Sequence, residues 1–294
     1  MVEGQTHKRI SYLKNSIFDN VDSRGQKWLE EKLRSIEQSP HEKELYMSFS
    51  MAPRFMGKMR LKASTGAPSE LLPKVDISRY TVDQATRIVL LLQYADQRLL
   101  SEKVTDTLFQ TAEVNELVAL YNALPWLPNP EKFIKRAEEG IRSNIITVFE
   151  AIALHNPYPE LHLSENAWNQ MILKAIFTER ILDHIEGLDK RANKALAHML
   201  QDFAHERWAA GRNVTPELWR PMVNFLNEES FLADIEVLLE KGSTLEQKAA
   251  VLALSESSHA QGKVLLSSFQ GKRESVKQEI TWKIIAEEWQ QNKI

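Results

Sequence analysis

The 294-residue sequence contains no cysteine, which excludes disulfides, thiolate nucleophiles and cysteine-based zinc or iron–sulfur sites. It also lacks an uninterrupted apolar run long enough to cross a membrane. The first residues do not contain the apolar core of a secretory signal. We therefore expect a cytoplasmic protein with no transmembrane segment of its own.

Charge of one sign is not in excess, since 37 basic residues face 40 acidic ones and the net charge is −3. A nucleic-acid-binding protein usually shows a basic footprint, so we predict no nucleic-acid partner. The sequence has no nucleophile-elbow GxSxG, no phosphate-binding GxxxxGK and no dinucleotide-binding glycine cluster. No cofactor is predicted.

Glycine is scarce, with 10 residues, and apolar residues recur every three or four positions. This spacing is typical of amphipathic α-helices and predicts an all-α fold. From Thr81 onward the pattern indicates serial short antiparallel helices. Such a series builds either an α-solenoid of the HEAT-like kind or an irregular helical domain, and both remain open.

Helix signals and breakers divide the chain into three parts. Residues 1–56 form an N-terminal helical part, in which Asp22 is placed to cap a helix that ends near Gln38. Residues 57–80 contain two prolines and two glycines without a clean period, and predict a long loop. Residues 81–294 form the main helical domain.

Residues 144–221 concentrate charged and polar side chains inside apolar, helix-periodic sequence. Burying charge is costly unless it is paired, so this concentration predicts a site. The candidate ligand-binding residues share this setting and are His155, Asn156, Tyr158, Asn169, Lys174, Asp189, Arg191, Asn193, Asp202, His205, Glu206 and Arg212.

Several of these candidates also have a structural interpretation. The segment 155–159 reads HNPYP and predicts a stiff extended loop, which either fixes a ligand-facing side chain or only ends a helix. Lys174 either extends its amine to water or is a desolvated base. Asn193 is placed to cap the helix that follows it.

Two charges interrupt apolar helical stripes. Glu150 is the sole charge of its helix, and Arg207 lies within a stripe formed by Leu196, Met199, Leu200 and Phe203. An arginine in such a stripe needs a carboxylate, so we predict that Glu150 and Arg207 are buried and form a salt bridge.

The opposite face of the same helix carries His198, Asp202 and His205 at positions i, i+4 and i+7. Two histidines and a carboxylate can hold a metal ion. Charged residues opposite an apolar stripe are more often solvated, and we predict no metal at this face.

Four ordered stretches carry a resemblance to a known family: ITVFEAIALHNPYP, AWNQMILKA, GLDKRAN and DFAHERWAAGRNVTPELWR. They resemble the EboA family of bacterial proteins, which are encoded in the Ebo gene cluster and described as metabolite-traffic proteins. The resemblance covers residues 144–221. It implies a part in moving a secondary-metabolite precursor, such as an indole-alkaloid sunscreen monomer, toward the periplasm. It carries over no catalytic residues.

The resemblance implies other Ebo-cluster proteins as partners, one of them membrane-embedded. We expect a non-enzymatic helical binding or adaptor protein, and a small aromatic metabolite would suit Tyr158 and the tryptophans near the polar residues. The alternative is an enzyme that acts on the same precursor through Glu150, His155, Asp202 or His205, with or without a metal.

Overall fold

The computed structural model describes residues 2–39, 41–62, 75–97, 100–270 and 280–292. Fifteen α-helices lie in these ranges: α1 Val2–Phe18, α2 Ser23–Gln38, α3 Lys43–Met56, α4 Val82–Gln97, α5 Glu102–Thr111, α6 Val114–Ala123, α7 Ile134–Arg142, α8 Ile146–Ala153, α9 Tyr158–His162, α10 Glu165–Phe177, α11 Lys194–Ala209, α12 Glu229–Lys241, α13 Thr244–Glu256, α14 Ala260–Gln270 and α15 Trp282–Gln291.

3-10 helices connect several of these elements, at Ile77–Arg79, Leu124–Trp126, Pro130–Phe133, Leu182–His184 and Pro216–Phe225, the last of them ten residues long. In the described ranges, extended pairing is limited to an isolated bridge between Arg60 and Thr81. The predicted all-α fold is confirmed. None of the described helices is long and apolar enough to cross a membrane.

The predicted helix caps have the expected geometry. The Asp22 side chain accepts a hydrogen bond from the backbone N–H of Gly25, at 2.9 Å, and α2 begins one residue later at Ser23. Asn193 caps α11 in the same way, with its side-chain oxygen 2.9 Å from the N–H of Leu196. Each cap satisfies a donor that the first turn of a helix leaves unpaired.

The chain forms two compact units, residues 1–164 (unit 1) and 165–294 (unit 2). The predicted division into residues 1–56, a loop at 57–80 and a main domain at 81–294 stays a prediction. Of that loop, residues 63–74 lie outside the described ranges, so its length and its role as a divider stay predictions. Helices α1, α2 and α3 all pack against α4 in unit 1.

Helix α4 is the centre of unit 1, since it contacts α1, α2, α3 and α6 and buries residues on every side. This arrangement is an irregular helical domain, because a solenoid helix contacts only its neighbours along the stack. In unit 2, helix α13 has the same role and contacts α12, α14, α15 and Pro216–Phe225. A helix that is apolar on most sides is expected at the centre of such a core.

One sequence prediction next to the candidate site is wrong in part. The segment 155–159 is not extended throughout, because Tyr158 begins the short helix α9. His155 instead has a left-handed backbone conformation with φ of 53°. Proline is favoured in the first turn of a helix, so Pro159 starts α9 as readily as it would stiffen a loop.

Candidate functional site: a proline-walled cavity in unit 1

A cavity of about 310 Å³ lies in unit 1 between α1, the connection 125–130 and α9. Its walls include Thr6 and Arg9 from α1, Leu127 and Pro130 from the connection, and Tyr158 and His162 from α9. Pro125, Pro128 and Pro157 also line it. Because a proline ring fixes φ, these walls have little backbone freedom to lose when a ligand binds.

Tyr158 joins two walls of the cavity. Its hydroxyl donates a hydrogen bond to the carbonyl oxygen of Pro130 at 2.5 Å, and its ring lies 4.6 Å from that of His162, centroid to centroid. Burial, with a smaller contribution from the charge of Glu131, raises the pKa of Tyr158. The hydroxyl therefore stays protonated and holds the connection 125–130 against α9.

Arg9 brings a positive charge to the cavity. Its Nη1 donates to the carbonyl oxygen of Trp126 at 2.6 Å, and its buried Nε has no hydrogen-bond partner. Burial lowers the pKa of Arg9, although an arginine remains charged at neutral pH. The described residues that line the cavity include no carboxylate and no lysine.

His162 is the other titratable nitrogen base in the cavity wall. Burial lowers its pKa and outweighs the charge of Glu131, which raises it, so the imidazole is neutral at pH 7.

Asn156 was a predicted binding residue, and in the structure its side chain makes three hydrogen bonds to the backbone around it. It is 4% exposed. Its side-chain nitrogen donates to the carbonyl oxygens of Tyr121, at 3.2 Å, and Ala151, at 2.9 Å. Its oxygen accepts from the N–H of Tyr158 at 3.0 Å. Asn156 thus positions Tyr158, while half-buried His155 precedes it in a left-handed turn.

In unit 2, three more candidates form one packed cluster. The side-chain amides of Asn169 and Asn193 hydrogen bond to each other in both directions, at 3.2 and 2.8 Å. The Arg191 guanidinium lies 4.7 Å from the centre of the buried Trp168 ring. Since Asn193 also caps α11, this cluster fixes the start of that helix against α10.

Asp189 is a partner of Arg220, a residue that the sequence analysis missed. Arg220 donates to both oxygens of Asp189 and to Asp183, each at 2.7 Å. Burial lowers the pKa of Arg220, but the hydrogen bonds to the two carboxylates outweigh it and raise that pKa. A bidentate carboxylate pair of this geometry is among the strongest side-chain contacts.

Glu217 is a second residue that was not among the predicted site residues. It is 1% exposed, and its oxygens accept from the backbone N–H groups of Leu182, at 3.2 Å, and Asp183, at 2.8 Å. Burial raises its pKa to about 7, although the two hydrogen bonds lower it. The sequence signal was available, because Glu217 stands between Pro216 and apolar Leu218 and Trp219.

The other candidates in unit 2 lie on two surfaces. His205 Nε2 is 2.8 Å from Asp234 Oδ1, and the His205 side chain is half exposed. Lys174, Glu206 and Arg212 line an open groove that also includes the exposed ring of Phe177. Asp202 is exposed on α11 and does not line this groove. Burial lowers the pKa of Lys174, which fits an amine beside apolar groove walls.

The predicted pair of Glu150 and Arg207 is less buried than expected, since both residues are half-buried. Arg207 Nε and Nη2 donate to the carbonyl oxygen of Asn213, at 3.3 and 3.0 Å. Glu150 belongs to unit 1 and Arg207 to unit 2. Their salt bridge stays a prediction, as does a composite site that joins 155–158 with 187–193 and 202–212.

The structure offers no support for a metal at His198, Asp202 and His205. The two histidines pair with different carboxylates, Glu228 at 3.4 Å and Asp234 at 2.8 Å. Across the described part of the chain, no three His, Asp or Glu side chains are grouped so that they could hold a metal ion.

Comparison with known families gives a match to metabolite traffic protein EboA over residues 9–223. The chain belongs to the EboA family. The resemblance predicted from residues 144–221 is confirmed and extends toward the N-terminus. Neither curated proteins nor solved structures gave a match. Most of the cavity, from Arg9 to His162, lies within the matched residues.

Proposed function

We propose that this EboA-family protein is a non-enzymatic binding protein that holds a small metabolite in the proline-walled cavity of unit 1. The description of the family as metabolite-traffic proteins supports a role in handling such a compound. The cavity of about 310 Å³ carries the proposal, because it lies at the lower end of the range for small-molecule sites.

The chemistry of the walls favours binding over reaction. General acid–base catalysis needs a side chain that is ready to exchange a proton with the substrate. The hydroxyl of Tyr158 is engaged by Pro130, and burial raises its pKa. Arg9 does not release its proton at neutral pH. His162 also lines the cavity as a neutral imidazole, but its ring lies against the Tyr158 ring. Beside it the walls offer a ligand one positive charge, apolar surface and the neutral polar side chains of Gln5, Thr6 and Asn129.

The remaining parts of the proposal come from the family resemblance. The metabolite is a secondary-metabolite precursor with an aromatic part, which the protein holds in the cytoplasm and exchanges with other Ebo-cluster proteins. One of these partners is membrane-embedded and moves the compound toward the periplasm. The family description supports a traffic role of this kind.

Native mass spectrometry of the purified protein, after incubation with a small-molecule extract of its host, tests the proposal. We expect a 1:1 adduct whose ligand, once released, has the mass it had in the extract. Leu161 lines the cavity and is 61% exposed, so Leu161→Trp should obstruct the opening and abolish the adduct. Val264→Trp is the matched control, since Val264 is 71% exposed on α14 in unit 2.

Two results would contradict the proposal. An adduct that persists in Leu161→Trp would place the ligand elsewhere on the protein. A released compound whose mass differs from every compound in the extract would instead support the enzyme alternative.

A further inference from the structure

We infer that the ligand of the proline-walled cavity is an organic anion, an apolar ring body with one carboxylate, and that Arg9 binds the carboxylate. This inference rests on the proposed function. It adds the chemical class of the ligand and names the residue that selects it.

The well-shielded arginines of this protein show what a guanidinium normally requires. The side chains of Arg87, Arg136 and Arg220 are 2%, 12% and 15% exposed, and each contacts two carboxylates within 4 Å. Removing an arginine from water is costly, and the paired carboxylates offset that cost.

Arg9 is half-buried without this compensation. No carboxylate among the described residues forms a salt bridge with it, and its one hydrogen bond goes to the Trp126 carbonyl. A guanidinium has five N–H donors. One is used by Trp126, the Nε–H is buried without a partner, and three more remain on the two Nη atoms. Burial alone accounts for the lowered pKa of Arg9. A carboxylate that entered the cavity would provide the missing negative charge.

One carboxylate close to two of the lining residues does not take this place. Glu131 acts electrostatically on Tyr158 and His162, but it does not line the cavity. Its charge has no resolved effect on Arg9. The cavity therefore presents a positive charge that the described residues leave uncompensated.

The other walls select the body of the ligand. Leu127, Leu161 and the prolines offer apolar surface, and neutral His162 lies against the Tyr158 ring. A flat ring would bury its faces against such walls, while a multiply charged phosphate would lose water and meet Arg9 as the single lysine or arginine among the lining residues. An apolar ring with a single carboxylate matches both parts of the cavity.

Isothermal titration calorimetry with naphthylacetate and its neutral isostere naphthylacetamide tests this inference. The two probes share one ring and differ in charge. We expect the wild-type protein to bind the acid at least about tenfold more tightly, because hydrogen bonds to a charged group are the stronger ones. Arg9→Gln should abolish this preference, and Arg9→Lys should restore part of it. Arg24→Gln, at an exposed arginine of α2, should keep it.

The outcomes separate the inference from the proposed function. Equal binding of both probes, or a preference that survives in Arg9→Gln, would overturn the assignment of the anion to Arg9 and leave a small-molecule site in place. No binding of either probe would overturn this ligand class, while the metabolite adduct blocked by Leu161→Trp would still support the proposed function. Melting curves of each variant verify that it is folded.

Discussion

Two arginines of unit 1 differ in how their charge is neutralised. Arg87 on α4 contacts Asp83 at 2.5 Å and Glu116 at 3.8 Å, and its Nε donates to the Phe49 carbonyl. Arg9 on α1 has a hydrogen bond to the Trp126 carbonyl and no carboxylate partner in the described structure. Arg87 lies in a closed core, whereas Arg9 lies at a cavity.

The difference separates a charge that stabilises the fold, which we call architectural, from a charge that is available to bind a ligand. A buried ion pair that is satisfied internally has nothing left to offer a ligand, and it holds its helices in register. A shielded guanidinium without a carboxylate adds little to the fold, but it is already positioned and partly dehydrated for an anion. Variants at the Arg87 pair should therefore destabilise the protein strongly, and variants at Arg9 should change its stability little.

The largest effect is expected at the Arg87 pair. Asp83→Ala leaves the Arg87 guanidinium buried with one distant carboxylate, and should lower the free energy of unfolding by about 3–5 kcal/mol. Adding Arg87→Met removes the unpaired charge, so the double variant should lose less than Asp83→Ala alone. Urea unfolding of the three proteins measures these differences.

The exposed pair of Lys27 and Glu31 on α2, 3.9 Å apart, is the control. Lys27→Ala should change stability by less than about 1 kcal/mol, because water screens such pairs. If Asp83→Ala proved as mild as Lys27→Ala, the Arg87 pair would not be architectural.

Glu217 in unit 2 is an intermediate case, since backbone donors rather than a cation satisfy its buried carboxylate. Burial raises its pKa from 4.5 to about 7, so the folded state binds this proton more tightly than the unfolded chain. Its contribution to stability is therefore full below pH 4.5 and is lost as the pH rises through about 7. The rise corresponds to on the order of 3 kcal/mol.

Glu217→Gln cannot titrate, so its stability should fall less than that of the wild type between about pH 5 and about pH 8. Urea unfolding at the two pH values gives the comparison. Parallel pH profiles for the two proteins would show that the carboxyl titrates normally and that its burial is compensated.

A smaller effect is expected at the neutral pair of Asn169 and Asn193. Asn193→Ala removes the cap of α11 and leaves the Asn169 amide without its partner, which should cost about 1–2 kcal/mol. Asn193→Ser keeps a capping oxygen and should recover part of the loss in thermal unfolding. Equal losses in both variants would indicate that the amide pair, rather than the cap, is the stabilising contact.

The smallest change in stability is expected at the cavity. Arg9→Met removes one hydrogen bond and also an uncompensated charge, so the free energy of unfolding should change by less than about 1 kcal/mol. Chemical denaturation of this variant beside Arg87→Met measures the contrast directly. A loss at Arg9 as large as that at Arg87 would make Arg9 architectural.

The local features of the fold were predictable from the sequence. Helix periodicity predicted the all-α class, and the side chains of Asp22 and Asn193 marked two helix starts, because a cap is made within a few residues. The position of Arg207 in an apolar stripe predicted burial, yet the residue lies two positions before the end of α11, where the Asn213 carbonyl folds back onto it.

The cavity was only partly predictable, because its walls come from distant parts of the chain. Tyr158 was a candidate, whereas Arg9 occurs in a polar stretch of α1 and gave no signal by itself. Arg9 reaches the cavity only through the fold of unit 1, which brings it to Trp126, 117 residues along the chain. Polar residues in apolar sequence do indicate buried contacts, but whether their partner is a ligand or another side chain, as for Asp189 and Arg220, depends on the fold.

The most direct test of the account is a crystal structure of the protein with naphthylacetate, or with the metabolite recovered from the host extract. We predict that the ligand occupies the cavity between α1 and α9, with a carboxylate oxygen within about 3.2 Å of an Arg9 nitrogen. A ligand bound in the groove beside Phe177 in unit 2, or in the cavity with its anionic group turned away from Arg9, would contradict it.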